Sequence, residues 1–253
     1  LAYRLFSPQT LFYDALLFLG GQQAHYLGNV LRLLPSDSFH IFNGEDGEWR
    51  AVLVKKHKKG LEVRLQERVA PPCSQTYELF LFFAPIKFHR LDWLLEKATE
   101  MGVTHLVPCR TERTCGSRIN LERLERITIE ATEQSGRLRP PLFWPLAPLH
   151  EHLKQWQRQY AEAPFFLCDL EAKKSLILEL NFFDSLPQVA LAIGPEGGWS
   201  PLEKQLFHES FSESLPVTLG STILRAETAA LLGLGILHLF QEQKHGTLRG
   251  QAL

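Results

Sequence analysis

A long apolar run, paired cysteines and a charge of one sign are what this 253-residue chain lacks. Its longest apolar stretch, Ala229 to Phe240, has the length of a buried helix. That is short of the roughly 20 residues a bilayer crossing needs. No basic n-region followed by an apolar h-region marks a secretory signal. The four cysteines, Cys73, Cys109, Cys115 and Cys168, form no C-x-x-C pair and no Cys/His cluster of zinc type. They read as free, mostly buried thiols of a cytoplasmic protein. His150-Glu151-His152 lacks the i,i+4 spacing that puts two imidazoles on one helical face, so no metal site is expected. The net charge of -1 announces no polyanionic partner. Residues 1–72 hold 9 Lys+Arg against 7 Asp+Glu, and the remainder 18 against 21. An RNA partner would therefore need a local basic face.

The first seventy residues have the pattern of short strands. Leu5-Phe6, Phe39–Phe42, Trp49–Val54 and Leu61–Leu65 alternate in part with period two. Asn43-Gly44-Glu45-Asp46-Gly47 is a hairpin turn signal, and Lys55-Lys56-His57-Lys58-Lys59-Gly60 is a second, basic turn. Only His25 to Leu34 looks helical, ending at Pro35. A small β-barrel is expected here. Val69-Ala70-Pro71-Pro72-Cys73-Ser74-Gln75 breaks the pattern and predicts a boundary between domains at 1–72 and 73–253.

Beyond it the period changes. Glu78–Ala84, Val103–Cys109, Phe165–Cys168, Val189–Ile193 and Leu215–Leu219 are apolar strands. Leu91, Leu94, Leu95, Ala98 and Met101 recur at helical spacing, as do Leu121, Leu124, Ile127 and Ala131. Near-continuous apolar strands separated by helices predict an α/β domain, its parallel sheet covered on both faces.

Two segments carry chemistry. Gly194-Pro195-Glu196-Gly197-Gly198-Trp199 follows a strand and meets Ser200-Pro201-Leu202-Glu203, which has the form of a capping box with proline at N1. Leu219-Gly220-Ser221-Thr222-Ile223-Leu224-Arg225-Ala226-Glu227 follows another strand and opens an apolar helix. Two glycine-bearing turns at the ends of neighbouring strands are where an α/β protein builds a ligand site. The first turn lacks G-x-G-x-x-G and a Gly-Lys-Ser/Thr run. Pro195 removes an amide donor and Glu196 repels phosphate. A ligand without phosphates, such as adenine on a sulfonium cofactor, fits such backbone better.

These two segments resemble the signature motifs of the RsmE family, SPOUT-class methyltransferases acting on N3 of a uridine in small-subunit (16S) ribosomal RNA. Lys87–Gly102, Glu130–Arg137 followed by Pro140, and His25–Leu34 resemble further family blocks, in order along the chain. Phe88-His89 departs from the small or acidic pair the family usually places before the arginine. The resemblance implies a SPOUT domain with a C-terminal trefoil knot, a rare exception to unknotted connectivity, after an N-terminal PUA-like RNA-binding barrel. It implies S-adenosylmethionine bound by Ile193, Gly194, Gly198, Leu219, Gly220, Ile223, Leu224 and Ala229. It also implies a homodimer that buries the last helix. Catalytic candidates are Arg225, for negative charge on uracil oxygens or a phosphate, and Glu196 and Glu227, for the N3 proton. Candidate RNA contacts are Arg4, Arg32, Lys87, Arg90, Arg137 and Arg139, and the substrate is expected to be rRNA within a ribosomal particle. Ribose 2′-O methylation on the same fold, or RNA binding without catalysis, are the competing readings.

Overall fold

The computed structural model describes residues 3–74, 76–114, 119–210 and 214–245; Cys115 lies outside them. The chain forms two compact units, Leu1–Ser74 with Thr132–Pro140, and Gln75–Ala131 with Pro141–Leu253.

In the first unit β1 (Arg4–Phe6) and β2 (Leu16–Gly20) precede a helical turn, α1 (Gly21–His25), which runs on as a π-helical turn over Tyr26–Val30. Then come β3 (Ser38–Asn43), β4 (Gly47–His57) and β5 (Gly60–Ala70). The sheet order is β1-β3-β4-β5-β2, with β1 parallel to β3 and the other pairs antiparallel. The turn after β3 is held by Asn43 Oδ1, which accepts the N–H groups of Glu45 and Asp46 at 3.0 and 2.6 Å. Leu17, Leu19, Ile41, Leu53, Val63 and Leu65 pack the core with Leu27.

Two sequence expectations are corrected here. The helix begins at Gly21, not His25, and stops before Arg32, whose φ of 56° is left-handed and cannot continue it. β2 escaped detection because Leu16-Leu17-Phe18-Leu19 is apolar on both faces. Leu17 and Leu19 are buried while Leu16 and Phe18 are exposed, so no alternation is visible.

The second unit is an α/β layer structure. β6 (Glu78–Phe83), α2 (Phe88–Glu100), β7 (His105–Arg110) and α3 (Leu121–Ser135) come first. The short strands β8 (Leu142–Phe143) and β9 (Ala147–Pro148) lead into α4 (Leu149–Gln159). β10 (Phe165–Cys168), β11 (Lys174–Ser175), α5 (Leu176–Leu180) and β12 (Gln188–Ile193) follow. α6 (Pro201–Ser210), β13 (Ser214–Thr218) and α7 (Ala226–His245) complete it. The sheet order is β11-β13-β10-β12-β6-β7-β8, with β9 on the far end of β7, and every pair is parallel.

Side-chain alternation sends Leu79, Leu81 and Phe83 to one face, where Leu91, Leu94, Leu95 and Ala98 of α2 and Ala230, Leu234 and Leu237 of α7 cover them. Phe80 and Phe82 go to the other, under Leu149, Leu153 and Trp156 of α4 and Phe207 of α6. Burial on both faces is why these strands are apolar throughout. Each such large side chain contributes roughly 1.5–3 kcal/mol. Gly233 lets α7 approach β12, since a Cβ there would lie 2.6 Å from a Leu191 methyl.

The linear boundary at 72/73 does not capture Thr132–Pro140, which groups with the first unit. The reason is Arg4. Its guanidinium donates to the carbonyls of Thr132, Glu133 and Arg137 at 3.3, 3.0 and 3.0 Å, and pairs with Glu48 at 2.9 Å. A cation on the exposed carbonyls of a helix end is favourable, and the same group lies over the Phe42 ring at 4.2 Å. Burial alone would raise the Glu48 carboxyl, but Arg4 and then His40 outweigh it and hold it below the usual range. Arg4, expected among the RNA contacts, thus makes its bonds inside the protein. Arg139 pairs with Glu45 at 2.7 Å and is held against Gly44. Arg137 is half-buried and gives its carbonyl to Arg4. Arg32 is exposed.

Candidate active site

Parallel strands deliver their C-terminal ends to one edge of the sheet, so the loops after β12, β10 and β13 leave that edge together. The two glycine segments are not on adjacent strands, as the sequence suggested: β10 lies between β12 and β13. Parallel order is set by long-range pairing that local sequence does not encode.

The loop after β12 is fixed on all sides. Ile193, the last residue of β12, is buried. Gly194 sits under the Trp199 indole, where a Cβ would lie 3.1 Å from the ring. Trp199 Nε1 donates to the Cys168 carbonyl at 2.9 Å, tying the loop to the end of β10. Arg113 donates to the Gly197 carbonyl at 2.7 Å. Gly198 has φ of 70° with open space where a Cβ would be. The capping box forms: Glu203 N–H donates to Ser200 Oγ at 3.2 Å, and Ser200 N–H donates to Glu203 Oε2 at 2.8 Å. Glu203 Oε1 also accepts the Glu112 N–H at 2.8 Å, so one buried carboxylate anchors α6 to the segment after β7. Lys204 reaches Asp169 and Glu171 beyond β10 at 2.8 and 2.6 Å. The Cys168 thiol is pushed up to about 12 by burial, with the Asp169 charge adding, so it stays neutral.

The loop after β13 is built differently. Thr218 Oγ1 donates to the Gly220 carbonyl at 3.0 Å, and Gly220 has φ of 134° with open space beside it. From Ser221 to Leu224 the backbone N–H and C=O groups find no hydrogen-bond partner among the described residues. Leu219, Leu224 and Ala229 are half-buried. Ile223 is 82% exposed, and Leu170 after β10 is 72% exposed. Open backbone groups beside exposed aliphatic side chains suit a flat, hydrogen-bonding heterocycle.

The structure brings together three charged residues, one expected from the sequence to contact RNA and two expected to take the N3 proton. Arg90, in the first turn of α2, lies 4.0 Å from Glu196 and 3.7 Å from Glu227. Arg90 is therefore a partner of both candidate acids. Glu196 is exposed. The Glu227 side chain is only 9% exposed, and its Oε2 is buried with no partner among the described residues. Arg225 is exposed and its side chain makes no hydrogen bond or ion pair among the described residues. Lys87 is exposed at the start of α2. Arg113 and the Cys168–Leu170 strand end are site elements the sequence reading missed. Arg113 carries no local signal, whereas Cys168-Asp169 was findable as a strand end at the edge where such sites form.

An RNA methyltransferase domain family matches residues 73–238, and an RNA methyltransferase PUA domain family matches residues 19–66. The chain is 36% identical to the ribosomal RNA small subunit methyltransferase E of Rickettsia conorii, over 85% of this chain and 86% of that protein. It belongs to that RNA methyltransferase family. A relative from Synechocystis sp. bearing the same name is 34% identical, over 96% of this chain and 79% of its own length. Among solved structures, the ribosomal RNA small subunit methyltransferase E of Neisseria gonorrhoeae, bound to S-adenosyl methionine, superposes with a TM-score of 0.81. It shares 27% identity and covers 94% of this chain and 97% of its own. The small N-terminal sheet is thus the PUA-like domain and the parallel sheet the methyltransferase domain of the family. The span matched to the methyltransferase domain contains Arg90, Arg113, both glycine loops and Glu227.

Proposed function

We propose that the protein transfers a methyl group from S-adenosylmethionine to N3 of one uridine in small-subunit ribosomal RNA. Membership of the family carries the donor and the RNA class. The structural observation that supports a cofactor site here is the open backbone of Ser221–Leu224, which leaves the same sheet edge as the Gly198 loop, with positive φ values and free space at Gly198 and Gly220. These groups fit an adenine read by main-chain amides and carbonyls. Ile193, Gly194, Leu219, Ile223, Leu224 and Ala229 would supply the apolar and main-chain surround.

When bound, S-adenosylmethionine supplies a methyl carbon on a positively charged sulfur. The chain's own residues have two tasks. Uracil N3 is a weak nucleophile until its proton leaves, and the Glu227 Oε2, which has no donor among the described residues, is the acceptor we assign to that proton. Arg90 balances the carboxylate charge at 3.7 Å. Arg225, a cation without an ion pair among the described residues, is assigned to the negative charge that develops on the uracil oxygens as the proton departs. Glu196 is the alternative acceptor, held by the same Arg90. Holding N3 in line with the methyl carbon supplies the remainder of the rate.

The finer reading also includes a trefoil knot at the C-terminal sheet edge, a homodimer through α7, a ribosomal particle as substrate and a cytoplasmic location. Exposed Leu232 and Leu239 on α7, whose Ala230, Leu234 and Leu237 are buried, support the dimer. The deciding experiment is transfer of labelled methyl to small ribosomal subunits lacking the family's modification, followed by digestion to nucleosides. Labelled 3-methyluridine is expected. A labelled 2′-O-methylnucleoside would replace the specificity, and no label together with no cofactor binding would leave an RNA-binding protein without catalysis.

A further inference from the structure

The basic turn of the first unit has no role in the site above. It joins β4 to β5, with His57 opposite Gly60 and Lys58-Lys59 at its tip. Lys55, Lys56, Lys58 and Lys59 are all exposed, and none of their side chains makes a hydrogen bond or ion pair among the described residues. Four unpaired like charges on one hairpin repel one another and stabilise nothing within the fold.

Their setting is specific. Up to Leu53, β4 alternates with Ala51 and Leu53 inward. A register shift between Leu53 and Lys55 inserts Val54 and reverses the phase. Lys55 then stands opposite Glu62, and Glu62 opposite Phe18 of β2. Phe18, Glu62 and Lys55 therefore form one row on the outer face of the sheet, with Leu16, Arg64 and Val52 as the next.

Phe18 is 51% exposed, yet it is not loose. A Cβ on Gly60 would fall 2.5 Å from its ring, so the ring lies directly over that glycine, and the His57 ring is 6.0 Å away. A fixed, half-exposed aromatic ring in one row with Lys55, on the sheet whose β4–β5 hairpin carries the other unpaired lysines, combines the two elements of single-strand recognition. These are a stacking platform and a track for phosphates. Glu62, between Phe18 and Lys55, is held by His57 at 3.1 Å.

We propose that this outer face is an RNA-contacting surface: the lysines of the β4–β5 hairpin hold backbone phosphates while Phe18 stacks one unpaired base of the substrate. The assignment rests on the reading of the chain as an rRNA methyltransferase and adds to it which face of the first unit takes the RNA and in what form. It prefers single-stranded or loop RNA, because a base inside a duplex offers no face to Phe18.

The test uses the full chain. Binding to unmodified small ribosomal subunits and to a 20-nucleotide oligouridylate is measured between 50 and 300 mM KCl, for the wild type, for Lys55→Gln/Lys58→Gln/Lys59→Gln, and for Phe18→Leu. Leucine keeps the apolar cover over Gly60 and removes the π-face. The triple variant should lower the salt slope by about 2, since each phosphate neutralised on a single strand adds roughly 0.7 to it. Phe18→Leu should weaken binding about ten-fold with the slope unchanged, within the range for one stacked base. Both variants should bind S-adenosylmethionine as the wild type does. An unaltered slope in the triple variant overturns the phosphate contacts, and unaltered affinity in Phe18→Leu overturns the stacking. A wild type that methylates subunits while both variants match it overturns this surface and leaves the function standing. A wild type that neither binds nor methylates RNA overturns both.

Discussion

The two glycine loops at the sheet edge each follow a parallel strand, and they are opposite in construction. In the loop after β12, indole, guanidinium and capping carboxylate each bond a named backbone group. In the loop after β13, a single threonine hydroxyl closes the turn and the next four residues leave their backbone groups open. Glycine serves both, but for different reasons. Gly194 makes room for Trp199, whereas Gly220 gives a backbone conformation closed to other residues and borders free space. The first loop sets the position of the edge, and the second offers hydrogen bonds to something outside the chain.

That contrast can be tested from its strongest consequence downward. Arg225→Ala should lower kcat by about 100-fold or more, the usual loss for one charge-stabilising donor. Cofactor affinity and Tm should be unchanged, because the side chain bonds nothing among the described residues; a shift in Tm would break the assignment. Next, Gly220→Ala forces a non-glycine residue to a φ of 134°. It should cost about 1–3 kcal/mol, read as a fall in Tm and a weaker Kd for S-adenosylmethionine by calorimetry. Arg90→Gln leaves the buried Glu227 carboxylate unbalanced. Since Arg90 is partly exposed, the loss in chemical denaturation should be about 1–2 kcal/mol. Adding Glu227→Gln should return most of it, and simple additivity of the two would show that the residues do not interact. Smallest is Arg113→Ala, which removes one bond to the Gly197 carbonyl. A loss of about 1 kcal/mol and a few-fold rise in Kd are expected. An effect there as large as at Gly220 would make the first loop a ligand reader too.

What was legible in the sequence was what local chemistry controls. The Ser200/Glu203 capping box, the apolar strands of the second unit and the Asn43–Gly47 turn each follow from a few adjacent residues, and the structure has them. The resemblance to family motifs is what singled out the candidate site. What was not legible depends on residues far apart in the chain. Arg4 and Arg90 read as surface cations, yet one caps carbonyls at Thr132–Arg137 and the other sits between two carboxylates more than one hundred residues away. β10 entered between β12 and β13 for the same reason, since sheet order is decided by long-range pairing. The second oxygen of Glu203, bound to the Glu112 amide, likewise had no local signature.

The cap that Arg4 places on residues 132–137 has a consequence for synthesis. The first unit is discontinuous: its first part ends at Ser74, and its remaining residues end only at Pro140. At roughly 5–20 residues per second, the intervening chain takes about 3 to 13 s to leave the ribosome. During that interval Arg4 and Glu48 have each other but not the carbonyls. The nascent N-terminal sheet, whose five strands all lie within residues 4–70, thus waits for the segment that completes the Arg4 contacts, encoded in the middle of the other unit, and any pause in translation there lengthens its exposure to chaperones and proteases.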